Sequence, residues 1–139
     1  MSVTAGVISL VDLRDAVGVV LAPQLDTDPA VHVDPVDALH PPALVFVWGE
    51  PWLEPTVATV RTMGQCEWTA RLEVMCVGGR VEPGAGYAMV EQLVAYTVGR
   101  MAADSYTWPL NNIASPRRYI FGGVDYFAAR VIYQVPTTI

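Results

Sequence analysis

The sequence predicts a single α+β domain, with a mostly antiparallel or mixed β-sheet and two main helices packed on one face. Three observations predict it. Apolar residues recur at spacings of three and four near 10–22 and again near 85–103, as amphipathic helices require. Two other stretches, 66–76 and 124–135, alternate along the chain with period two, the pattern of strands with two unlike faces. The order helix, strands, helix, strands over 139 residues suits a helical layer on one sheet and leaves little room for a second core.

In the first helix Leu10, Leu13, Val17, Val20 and Leu21 share a face. Ser9 takes the N-cap position, Asp12 sits in the dipole-favoured first turn, and Pro23 stops the helix. Five prolines between 23 and 42 make a loop, in which Val31 and Val33 offer a short edge strand. Residues 43–48 are a continuous apolar run bounded by Pro42 and Gly49, suited to a strand covered on both faces, and a further strand is expected at 56–61. The clearest strand follows. Cys66, Trp68, Ala70, Leu72, Val74 and Cys76 occupy alternate positions, with Glu67, Thr69, Arg71 and Glu73 on the polar side. Gly78, Gly79, Pro83, Gly84 and Gly86 lead into the second helix, whose core face is Tyr87, Val90, Leu93, Val94, Thr97, Val98 and Met101. Residues 104–118 read as a polar loop, and 118–121 and 124–135 as strands around Gly122-Gly123, ended by Pro136.

Hydrophobic residues make up 53% of the chain and charged residues only 16%, against a typical value of about 25%. That composition excludes disorder and leaves too few charges to cover a monomer's surface, so some apolar surface is expected to be buried against other copies or partners. The longest strongly apolar run has six residues where a spanning helix needs about twenty, and residues 1–11 lack the basic start of a signal peptide. The expectation is a soluble protein with no membrane partner. All eight basic residues are Arg, and the net charge of -6 argues against nucleic-acid binding.

Catalytic motifs are absent from the sequence: it holds no P-loop, no G-x-S-x-G and no H-E-x-x-H. Gly84-Ala85-Gly86-Tyr87-Ala88-Met89 stands where a dinucleotide fingerprint would, but Met89 replaces its third small residue, so the segment reads as a turn into a helix and no cofactor is expected. His32, Asp34, Asp37 and His40 could converge on a zinc or iron ion, yet their spacing fits no helix motif and Pro35, Pro41 and Pro42 make the segment an ordinary acidic loop. Cys66 and Cys76 on one strand would lie about 33 Å apart, beyond disulfide reach, so both read as buried thiols. Two features are candidates for contact with other molecules. Trp48 and Trp52 lie in a W-G-E-P-W-L-E-P stretch expected to form a loop, where they stack on a sugar, join an intersubunit contact or pack at the subunit's own core edge. Arg117 and Arg118 either pair with acids on a neighbour, bind phosphate, or stay solvated.

The N-terminal amphipathic helix, the apolar strand near residue 45, the C-E-W-T-A-R-L-E-V-M strand, the Gly-rich turn into a long helix and the closing S-P-R-R-Y-I-F-G-G-V-D-Y-F-A-A-R-V-I-Y-Q-V-P segment together resemble tail terminator proteins of long-tailed bacteriophages. The likeness spans the whole chain in size, element order and texture. It implies a structural virion protein rather than an enzyme: a homo-oligomeric ring, expected to be a hexamer, assembled in the host cytoplasm at the head-proximal end of the tail. Such a ring caps the tail tube, stops its polymerisation and joins it to the head connector. Genome DNA would pass through the lumen without specific binding, with the acidic 26–37 loop a candidate lining. Neck, head-completion and tail tube subunits share this texture. A small metal-binding protein using the His32 to His40 loop is the alternative of another class.

Overall fold

A computed structural model describes residues 7–35, 39–55, 68–80 and 86–139. The strand expected at 56–61, together with Asp37, Cys66, Glu67, Gly84 and Ala85, lies outside the described residues. The elements run β1 (Ile8–Ser9), α1 (Leu10–Leu21), β2 (Ala30–His32), β3 (Ala43–Pro55), β4 (Trp68–Arg80), α2 (Gly86–Ala103), β5 (Leu110–Phe121) and β6 (Val124–Thr138). They form one mixed sheet in the order β1-β6-β4-β3-β2, with β5 also paired to β6. β3, β4, β5 and β6 pair antiparallel, while β1 on β6 and β2 on β3 are parallel edge strands. The domain is therefore α+β, as the element order predicts.

Both helices lie on the same face. Leu13, Val17 and Leu21 of α1 and Leu93 and Met101 of α2 join Leu44, Phe46, Leu72, Val74, Cys76, Val131 and Tyr133 of the sheet in one core. The β4 alternation is the framework of this core: its even-numbered residues from Ala70 to Cys76 face the helices, and direct pairs such as Val74 with Val131 put their neighbours on the same side. α1 has no basic residue in its last turn, and α2 supplies one. The Arg100 guanidinium donates to the carbonyls of Val20 (3.2 Å) and Ala22 (2.8 Å), and the Tyr96 hydroxyl donates to Leu21 (3.1 Å). These bonds satisfy carbonyls that a helix end leaves without partners.

The opposite face departs from the expected polar surface. Leu39, Val45, Met75, Val77, Tyr126 and Ala128 form a second, smaller buried cluster there, with the Tyr126 hydroxyl donating to the Leu39 carbonyl. Glu73, placed by alternation on the polar side of the strand, is 5% exposed. Period-two polarity marks a change of face but does not say that the polar face is wet.

Three boundaries also differ. Residues 49–55 are a continuation of β3, held by Leu53, Glu54 and Pro55 pairing with Ala70, Thr69 and Trp68 after a register shift, so the W-G-E-P-W-L-E-P stretch is not a loop. β5 begins at Leu110, well inside the stretch read as a polar loop, because β6 offers a ladder to residues with no period of their own. β6 runs through Pro136 to Thr138. The Gln134 amide donates outward to Pro109, so the proline nitrogen two residues on points to that same side, into the gap between β5 and β1, and no donor toward β4 is lost. The Gly122-Gly123 turn is as expected, with positive φ at both residues (57° and 78°), which a two-residue hairpin of the I′ kind requires. Ser9 stands at the N-cap of α1 in extended backbone, but its hydroxyl donates to the Asp12 carboxylate at 2.7 Å rather than accepting from the helix.

Candidate interaction surfaces

The four sequence-predicted contact residues fall into two separate places. Trp48 lies on the helix-bearing side of β3, half-buried against the main core and edge-on to Phe46 at 4.9 Å. Beyond the register shift Trp52 leans on it at 5.3 Å and is 45% exposed. Trp48 thus belongs to the core edge, and Trp52 is its outward cover. Arg117 and Arg118 lie two to three strands away on β5, both exposed, and as consecutive strand residues they point to opposite faces. Among the described residues neither enters an ion pair; those pairs are Arg14 with Asp34, Arg71 with Glu73 and Arg130 with Glu73.

The loop considered for a metal is not drawn together. His32 ends β2, exposed Asp34 meets Arg14 at 3.5 Å, and His40 is exposed beyond the undescribed Asp37. Among the described residues no group of three His, Cys, Asp or Glu side chains is placed to hold an ion. Nearby, the Asp28 carboxylate accepts from the amides of Gln24 and Leu25, which holds its pKa below the usual value.

Buried polar chemistry is structural in character. Cys76 sits under α2 with its sulfur 3.5 Å from the Thr97 hydroxyl, and burial pushes the thiol up to about 11. A thiol so far from its thiolate is a poor nucleophile. On the second face Glu73 accepts from Arg130 at 2.9 Å and faces Arg71 at 3.6 Å. Gly49 makes room for this group: a Cβ there would lie 2.4 Å from the Arg71 Cγ.

A groove of about 970 Å³ escaped sequence reasoning. Its lining includes the apolar Val19, Trp108 and Pro136 together with the acidic Asp12, Asp15 and Asp104. Asp12 accepts from Ser9, Asp104 accepts from the Trp108 indole at 2.8 Å, and no basic residue lines the groove. The signal for it was Val19, an apolar residue on the polar side of α1 that is 76% exposed. A second uncovered apolar strip runs along β5. Leu110 and Ile113 pair with Tyr133 and Val131 of the main core and so share their side of the sheet, and Ile120 continues the strip to the turn. α2 packs over β4 and β6 and α1 lies against α2, β1 and β2, so among the described residues neither helix covers the strip. No helix among the described residues is long and apolar enough to cross a membrane. No protein-family model matches the chain, and no curated protein matches its sequence.

Proposed function

We propose that this protein is a tail terminator of a long-tailed bacteriophage, a structural subunit that forms a ring, six copies in the simplest case, on the head-proximal end of the tail tube. The ring stops tube polymerisation and presents a surface to the head connector. The observation that carries the reading is the bare β5 strip: Leu110, Ile113 and Ile120 are 46%, 45% and 72% exposed on an edge strand. Open edges with exposed apolar side chains are liabilities in a monomer and assets in an assembly. A charged content of only 16% favours the same conclusion, since a ring subunit buries surface against two neighbours and an axial partner.

Two measurements test it. Native mass spectrometry of the purified protein, alone and with tail tubes, should find a closed oligomer near six times 15.1 kDa. Removing its gene from the viral genome should give tails of uncontrolled length. Tails of normal length and joined to heads would overturn the proposal.

A further inference from the structure

We propose that the acidic groove of one subunit receives the β5–β6 turn region of a second copy, making a head-to-tail contact between copies. The inference deepens the ring reading and depends on its self-assembling part alone, not on the tail. Two surfaces of opposite character lie at opposite ends of one strand. Pro109, immediately before β5, lines the groove, whereas Arg117, Arg118 and Ile120 lie toward the far end of that strand. Leu110 and Ile120 stand opposite Tyr133 and Asp125, eight residues apart on β6, a span of about 27 Å. A turn that far from its own groove cannot fill it, but a neighbour's can.

Charge and polarity both match. The groove is lined by three acidic residues and by apolar ones, of which Val19 is exposed. The turn region presents the exposed guanidinium of Arg118 on the same side as Ile120, 72% exposed, with exposed Arg117 on the other side of the strand and Asp125 opposite Ile120 as the one acid in that stretch. Arginine suits such a contact because its planar donor fork engages a carboxylate with two bonds and its stem lies well on apolar surface. The volume of the groove is in the range that encloses several side chains. Because the two surfaces differ, the contact is heterologous: each copy offers one turn and one groove, and successive copies continue until the rotation closes a ring. A two-fold dimer exchanging both turns would also use both surfaces but would stop at two copies, which the mass of the parent assembly distinguishes from a ring.

The test separates this contact from assembly in general. A turn variant, Arg117→Ser with Arg118→Ser, and a groove variant, Asp15→Arg with Val19→Arg, change only exposed side chains and do not swap one charge match for another. Each should keep the circular dichroism and melting temperature of the parent and weaken self-association by about tenfold or more, measured by light scattering and sedimentation. Mixed together, the two variants retain one intact groove and one intact turn between them. The expected product is a 1:1 dimer that grows no further. Association of both variants at parental strength would overturn the groove contact while leaving self-assembly standing, as would two monomeric variants that fail to pair on mixing. A parent chain that stays monomeric at millimolar concentration would overturn the contact and the self-assembling part of the reading together.

Discussion

The guanidinium of Arg100, three residues before the end of α2, donates a 2.8 Å hydrogen bond to the carbonyl of Ala22, the C-cap residue of α1. The first helix thus ends on a charge supplied by the second. A cation at a helix C-terminus opposes the macrodipole and satisfies orphan carbonyls at once. Arg100→Met should therefore destabilise the subunit by about 1–2 kcal/mol, with Arg100→Lys intermediate because an ammonium cannot span both carbonyls. Denaturant unfolding of the three chains decides it; equal midpoints would show that the two bonds contribute nothing net.

Glu73 is a buried carboxylate whose closest partner is Arg130 on the adjacent strand. Arg130→Met leaves that carboxylate facing only Arg71, and the expected loss is about 3 kcal/mol. Removing both charges with Glu73→Leu and Arg130→Met should cost less than the single change, since a well-packed apolar pair can replace a buried ion pair. A double variant weaker than the single would contradict the assignment.

Alkali should weaken the fold through two groups in the main core. Burial raises the Cys76 thiol from 9.0 to about 11 and the Tyr133 phenol from 10.0 to about 12. Each group holds its proton more tightly when folded, so its contribution is complete below the unfolded value and is lost as pH rises toward the folded one. From pH 8 to pH 10.5 the thiol alone accounts for about 2 kcal/mol. Urea titrations at the two pH values should show this loss, and Cys76→Ala should show a smaller one. The same burial predicts slow alkylation of Cys76 until the chain unfolds.

The tryptophan pair should split. Trp48 packs on the core and Trp52 is exposed, so Trp48→Ala should cost the subunit about 2–3 kcal/mol and Trp52→Ala less than about 1. If Trp52 enters an intersubunit or tube contact, its loss should weaken assembly far more than it lowers the melting temperature. Unchanged assembly would remove Trp52 from the interface.

A ring around the path of the genome should let DNA slide. The net charge of -6 per subunit opposes phosphate binding, and Arg117 and Arg118 are committed to a neighbour's carboxylates in the proposed contact. Gel-shift titration at low and physiological salt should find no duplex binding. Salt-sensitive micromolar binding lost on Arg117→Ala and Arg118→Ala would point instead to a neck component that contacts DNA.

The elements most legible in the sequence are those that bury one face against one partner. Leu13, Val17 and Leu21 announce α1, and the run from Ala70 to Cys76 announces β4, because each pattern reports a single boundary between core and surroundings. Residues 49–55 and 110–117 have no such period. Their strand state comes from ladders offered by β4 and β6, which no local pattern records. Glu73 misleads for a related reason, since its polarity marks the second face while its cross-strand partners Val47 and Ile132 and its same-face neighbour Met75 bury it there. The groove draws on β1, α1, the turn after α2 and the end of β6, so only the assembled fold brings Asp15 and Trp108 to the same groove.

β6 is the strand that joins β4, β5 and β1, and it follows all of them in the chain. Until it emerges from the ribosome, β4 has a ladder on its β3 side only, and β1 has none of the partners it pairs with at Thr137 and Thr138. Completing the sheet therefore takes non-local pairing, between β4 and β6 and finally between β1 and β6, a topology associated with folding in milliseconds to seconds rather than microseconds. During that interval the unpaired flank of β4 displays Leu72, Val74 and Cys76 as an adhesive edge. Crowded synthesis of many copies would make nascent chains, more than finished subunits, the population at risk of aggregation.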